Sequence, residues 1–125
     1  MNNQRKESRR KLAAFAPVYD LLHKALIGYI GDLTPQGVMV IGEKPIDIHK
    51  RLTLGIEFPD DESQAHTLRI VIPGRAAWCR PDETPQYFNI GFEFLEISSG
   101  NQKIIDSILT RYQFRKVMDV SDLKS

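Results

Sequence analysis

Two groups of polar residues in this sequence have side chains and spacings suited to binding a compact anion. The first is Arg5-x-x-x-Arg9. Residues four apart share one side of a helix, and an even offset also puts them on one side of an extended chain, so both guanidinium groups can meet one ligand. Guanidinium forks pair bidentately with phosphate oxygens and with the O6/N7 edge of guanine, and their planes stack on purines. Arg10 adjoins this pair, and Lys6-x-x-x-Arg10 overlaps it, so spacing alone does not choose between them. The second group is Asp32-Leu33-Thr34-Pro35-Gln36-Gly37. Asp32 can accept from guanine N1–H and the exocyclic amine, Thr34 supplies a hydroxyl, and Gly37 permits close backbone approach or a positive φ. Taken by itself, the segment reads more readily as ordinary turn chemistry, with Asp32 or Thr34 bonded to nearby backbone N–H groups.

Other chemistries find little support. His23, His49 and His66 are isolated and have no metal-ligand spacing with Cys79 or one another, so no metal or cofactor is expected. Asp60-Asp61-Glu62 reads as a solvated turn. No phosphate loop, nucleophile elbow or catalytic carboxylate pair is present, which argues against an enzyme. The single cysteine, Cys79, cannot form an internal disulfide. No apolar run approaches the ~20 residues of a membrane helix, and MNNQRKESRRKLAA lacks a signal peptide's apolar stretch, so a cytoplasmic protein is expected.

Charge is unevenly distributed. Residues 1–11 carry Arg5, Lys6, Arg9, Arg10 and Lys11 against Glu7 alone, so the remainder is mildly acidic within a whole-chain charge of +1. Positive potential confined to one end suits a compact polyanion better than a long nucleic-acid lattice.

The elements that must position these residues are mainly strands. Residues 1–11 lack apolar groups after Met1 and read as a flexible basic arm. Ala14–Asp20 reads as a strand with its proline at an edge, Ala25–Leu33 as a second strand bent at Gly28 and Gly31, and Val38–Ile41 as its hairpin partner. Leu52, Leu54, Ile56 and Phe58 keep strict period two. Thr67–Ile72 and Ala76–Arg80 follow, separated by a break at Pro73-Gly74, and then the aromatic-rich Tyr87–Leu95. Asn101 is placed to cap a helix with apolar positions Ile104, Ile105, Ile108, Leu109 and Tyr112. Short strands with regular turn signals predict a meander-like antiparallel sheet that closes on itself. The expected architecture is a mainly β, six- to seven-stranded barrel with a C-terminal helix over residues 12–116, followed by a polar tail over 117–125.

The order of these features resembles the PilZ domain family: Arg-x-x-x-Arg before the first strand, then Asp-x-Thr-x-x-Gly at the end of the second. Gly37-Val38-Met39-Val40 is similar to the family's third strand, and Ala76-Ala77-Trp78 with Asn89-Ile90-Gly91-Phe92-Glu93-Phe94 is similar to its late strands. The resemblance spans roughly residues 5–114. It implies a six-stranded antiparallel barrel with a C-terminal helix that binds the bacterial messenger cyclic di-GMP, often as an intercalated dimer. Arg5 and Arg9, with Arg10 assisting, would hold phosphates and guanine edges, while Asp32, Thr34 and Gly37 would line the guanine site. The family commonly has serine at the position of Thr34, which keeps the hydroxyl and adds a methyl. Trp78 would either stack on a guanine, worth ~1–3 kcal/mol, or fill the barrel core. Such a receptor would order its arm on the ligand and signal to an effector protein, with motility, adhesion or biofilm as family-level settings. The alternatives are a PilZ-like adaptor that acts through protein contacts alone and, less favoured by the mild net charge, a single-stranded nucleic-acid-binding barrel.

Overall fold

The computed structural model describes residues 16–59 and 67–112. Six strands form a closed antiparallel barrel: β1 (Pro17–Asp20), β2 (Ala25–Thr34), β3 (Gly37–Gly42), β4 (Arg51–Pro59), β5 (Thr67–Pro81) and β6 (Phe88–Phe94), ordered β1-β2-β3-β6-β5-β4. A single helix among the described residues, α1 (Ser99–Tyr112), follows. The basic arm at residues 1–11, the turn at 60–66 with His66, and the tail at 117–125 lie outside the described residues.

Alternation builds the interior. Leu54, Ile56 and Phe58 of β4, Ile70 and Ile72 of β5, and Ile90 and Phe92 of β6 point inward and are almost fully buried, with Val18, Ile30, Leu33 and Val40 opposite. Each such side chain stabilises the fold by roughly 1.5–3 kcal/mol through burial. Pro17 opens β1, pairing with Tyr29 before the β4 ladder begins at Val18, so its missing N–H removes no bond to β4. Its place is a strand start in a closed barrel, not the expected edge.

The expected simple meander is also corrected. β1-β2-β3 and β4-β5-β6 are each meanders, but β3 pairs with β6 and β1 with β4. Residues 43–50 therefore cross one end of the barrel, a span longer than a hairpin needs. The crossing is pinned by His49 N–H to the Ala76 carbonyl (2.6 Å) and Ala76 N–H to the Lys50 carbonyl (2.9 Å).

No break occurs at Pro73-Gly74, because β5 runs continuously through both and the strand count is six. Pro73 pairs with Thr53 of β4, and its carbonyl accepts from Leu95 N–H at 2.9 Å. Its nitrogen faces that same side, just past the last β6 residue, so the proline ends the β6 ladder without interrupting β5.

Ser98, rather than Asn101, caps α1: its Oγ accepts from Asn101 N–H at 3.1 Å. Asn101 instead donates through Nδ2 to the Val71 carbonyl at 2.9 Å, tying the helix to β5. Ile105 and Ile108 are buried as α1 packs on β5 and β2. No helix among the described residues is long and apolar enough to cross a membrane.

Asp20 is the one buried charged residue among the described residues. Burial raises its pKa, but His23 outweighs this through its ring nitrogen 2.8 Å from Oδ2, its backbone N–H and its charge, leaving the carboxyl below its ordinary value of 3.8. A depressed folded-state pKa adds stability above the unfolded value and loses it as pH falls through the folded one. The urea midpoint of Asp20→Asn should therefore lie below that of the wild-type chain at neutral pH, with the gap closing below pH ~4; a gap independent of pH would contradict this. Ile72→Ala should lose about 2–5 kcal/mol in the same unfolding assay, as expected for emptying a fully buried site.

Candidate functional site

The placement of Asp32 depends on one extra residue. Ile30 pairs with Val40 and Asp32 with Met39, so Gly31 is a bulge with no partner on β3. Ile30 points into the barrel, and uninterrupted period two would carry Asp32 inward as well. The bulge shifts the phase by one: Leu33 becomes the buried residue, and Asp32 and Thr34 face solvent.

The turn that follows is held by side chains. Thr34 Oγ1 accepts from the N–H groups of Gln36 (3.2 Å) and Gly37 (3.1 Å) and donates to the Gly37 carbonyl (3.4 Å). Its donor and both lone pairs are thus engaged within the turn. Asp32 Oδ1 accepts from Leu33 N–H at 2.9 Å, which leaves Oδ2 open to solvent. The turn is fixed to β6 by Phe94 N–H donating to the Gln36 carbonyl at 2.8 Å. Of the two uses expected for Gly37, the structure has close approach: no described glycine has a positive φ, and a Cβ at Gly37 would run into the Phe92 carbonyl.

A second bulge places Trp78. Ala76 pairs with Phe92 and Trp78 with Gly91, leaving Ala77 unpaired. Ala76 is buried inside, so the bulge turns Trp78 outward; it is half-buried and lies across Gly91, where any Cβ would overlap the indole. Trp78 is therefore not part of the barrel core. The Arg80 guanidinium stacks over the indole, 4.9 Å from its centroid.

Strand pairing assembles these residues into one outer face. Asp32, Met39, Gly91 and Trp78 form a single row across β2, β3, β6 and β5. Three inter-strand steps of ~4.8 Å separate the ends of that row, a span of about 14 Å. On one side lies Thr34, Gly37, Glu93 and Arg75; on the other Tyr29, Ile41, Asn89 and Arg80. Arg75 bridges Glu93 Oε1 at 2.7 Å and His49 Nδ1 at 2.6 Å. His49 and His23 are thus occupied by Arg75 and Asp20, and no metal-ligand cluster exists among the described residues.

The sequence reading missed Met39, Gly91 and Arg80, whose places depend on cross-strand register. The signal available was the slip in alternation between Ile30 and Leu33. Arg5, Arg9 and Arg10 lie outside the described residues. The chain enters the barrel at Ala16, whose carbonyl accepts from Ile30 N–H at 3.0 Å, two residues from Asp32.

A family model described as the PilZ domain matches residues 3–111. The chain belongs to the PilZ domain family. Domains of this family are receptors and adaptors, and cyclic di-GMP is the family's ligand. No curated protein matches the chain in sequence. Among solved structures, the inhibitor of motility (MotI/DgrA) of Bacillus subtilis is similar in fold, with a TM-score of 0.63 and 19% identity over 81% of this chain. The match covers 47% of that protein, so this PilZ chain spans about half its length.

Gly91→Val should displace the indole from its seat. As Trp78 is the chain's one tryptophan, its fluorescence maximum should move to longer wavelength; an unchanged maximum would contradict the packing of indole on Gly91.

Proposed function

We propose that the outer face of β2, β3, β6 and β5 binds cyclic di-GMP. The observation that carries this reading is that two independent bulges turn Asp32 and Trp78 onto one outer row, whose Asp32 end lies next to the point where the chain from the basic arm enters. Arg9 stands seven residues before Ala16. A chain of that length reaches at most ~25 Å, and Ala16 is bonded to Ile30, which is about two residues' rise, ~7 Å, along β2 from Asp32.

In this reading Arg5 and Arg9, with Arg10, hold the phosphates and the guanine O6/N7 edges. Asp32 Oδ2 accepts from a guanine N1–H and amine. Thr34 acts through the turn it holds, Gly37 lets that turn lie close to β6, and Trp78 with the Arg80 guanidinium stacked on it offers a contact for a base. Two guanine bases per nucleotide and a face of this breadth suit an intercalated dimer of the ligand. Binding fixes residues 1–11 across the face, and the new surface is read by an effector protein in the cytoplasm, where this messenger acts. Residues 12–116 form the receptor barrel, with 117–125 as its tail. The name of the structural neighbour, an inhibitor of motility, supports a setting in motility; biofilm control is a second setting open to the family.

One observation favours a second reading, an adaptor that acts through protein contacts without the nucleotide: the Thr34 hydroxyl and Asp32 Oδ1 are engaged in the turn itself. Calorimetry separates the two. Wild-type chain should bind cyclic di-GMP with a Kd well below ~100 μM. Arg5→Ala, Arg9→Ala and Asp32→Ala should each weaken binding about tenfold or more, the scale of a lost charge-assisted hydrogen bond. Absent binding in the wild type favours the adaptor; binding unchanged in all three variants overturns the site assignment.

A further inference from the structure

The opposite end of the barrel carries a second surface. A cleft of about 710 Å³ opens between the first half of β2, the end of β3, the 43–46 stretch of the crossing segment and the Asp82–Tyr87 connection. A groove of about 490 Å³ adjoins it and shares Asp20, Lys50 and Leu52 with it, continuing past Leu22 to Leu95. Together, through these shared residues, they form one continuous track around the end of the barrel.

Apolar exposure is concentrated along this track. Seven large hydrophobic side chains are exposed among the described residues, and five of them line it: Leu26, Tyr29 and Tyr87 in the cleft, Leu22 and Leu95 in the groove. Leu22 is 78% exposed and the other four 37–49%. Contiguous exposed apolar surface with a polar rim marks a docking site.

Its charges are of two kinds. Asp20 and Asp82 are fixed: Asp20 by His23, and Asp82 by Thr84 N–H at 2.9 Å and by Asn89. Burial raises the pKa of Asp82, but these hydrogen bonds outweigh it and keep the carboxyl below its ordinary value. The cations on the track, Lys44, Lys50 and Arg51, are exposed side chains on long flexible stems that can swing into solvent. Glu43 and Glu96 bring the carboxylates to four against those three cations. Asp20 is buried behind its His23 pair, so an occupant of the cleft meets the held carboxylate of Asp82 and that of Glu43 set beside Leu26, Tyr29 and Tyr87, a surface complementary to arginine or lysine flanked by apolar side chains.

We propose that this track docks a partner protein's extended segment bearing arginine or lysine between apolar residues. This rests on the reading of the domain as a receptor that signals by protein contact, and it names the contact surface. Tyr29 and Ile41 belong both to the cleft and to the outer row beside Met39, so the nucleotide face and the track share a border.

The test uses the full chain, isotope-labelled for amide NMR, with the peptide Leu-Leu-Arg-Gly-Leu-Leu-Arg as probe. Controls replace both arginines by glutamate or all leucines by serine. Shifts should concentrate at Leu22, Leu26–Tyr29, Glu43–Ile46 and Asp82–Tyr87, with both controls weaker by about tenfold. Asp82→Asn and Leu26→Ser should each weaken the probe by about fivefold. The proposal is overturned by equal binding of the glutamate control, by shifts elsewhere, or by no shift at millimolar peptide. It is overturned too by concentration-dependent shifts at these residues without peptide, which would make a second copy of the chain the occupant. Cyclic di-GMP is titrated into the same sample and read at Asp32 and Trp78. Loss of that response with peptide binding intact removes the nucleotide reading and leaves the docking track standing.

Discussion

A closed barrel imposes a strict rule on each strand: alternate residues face in and out, and no edge exists where the rule can relax. One unpaired residue reverses every position beyond it. The outer face of this PilZ domain depends on two such reversals. At Gly31 the reversal puts Leu33 into the core and Asp32 outside; at Ala77 it puts Cys79 toward the core and Trp78 outside. Without them, a carboxylate and an indole would point into an interior otherwise built from isoleucine, leucine, valine and phenylalanine. An uncompensated buried carboxylate is far too costly to tolerate.

On the same face, turn chemistry is compatible with the proposed binding role. Thr34 spends its hydroxyl on the Thr34–Gly37 turn, and that turn holds Asp32 at the strand end with one carboxylate oxygen outward. Rigidity is therefore supplied by Thr34 and by the Gln36 bond to Phe94, while the free acceptor is left on Asp32. Trp78 is positioned in a comparable way. Its seat exists because Gly91 has no side chain, and the Arg80 guanidinium lies over the ring, 4.9 Å from its centroid. Both groups are held in place by the fold itself, which would lower the entropy lost in the proposed binding.

Much of this was legible in the sequence. Period-two runs such as Leu52–Phe58 gave strands directly, because burial on one face leaves that pattern. The Asp32–Gly37 turn was legible because proline, threonine and glycine have local backbone preferences. Features decided by distant partners were not. Pro73 suggested a break because proline lacks a donor, yet only the β6 register reveals that its nitrogen faces the place where β6 ends. Asn101 and Ser98 are both good caps, and the choice fell to Ser98 because Asn101 finds the Val71 carbonyl on β5. The crossing of residues 43–50 and the row Asp32–Met39–Gly91–Trp78 are properties of strand order, which local pattern does not encode.

The most direct measurement is the structure of the chain crystallised with cyclic di-GMP. The expected result is nucleotide seated over Met39 and Gly91, with a guanine hydrogen-bonded to Asp32 Oδ2, Trp78 in contact with a base, and Arg5 and Arg9 on the phosphates. Nucleotide bound elsewhere on the barrel, or on this face without contact to Asp32, would contradict it.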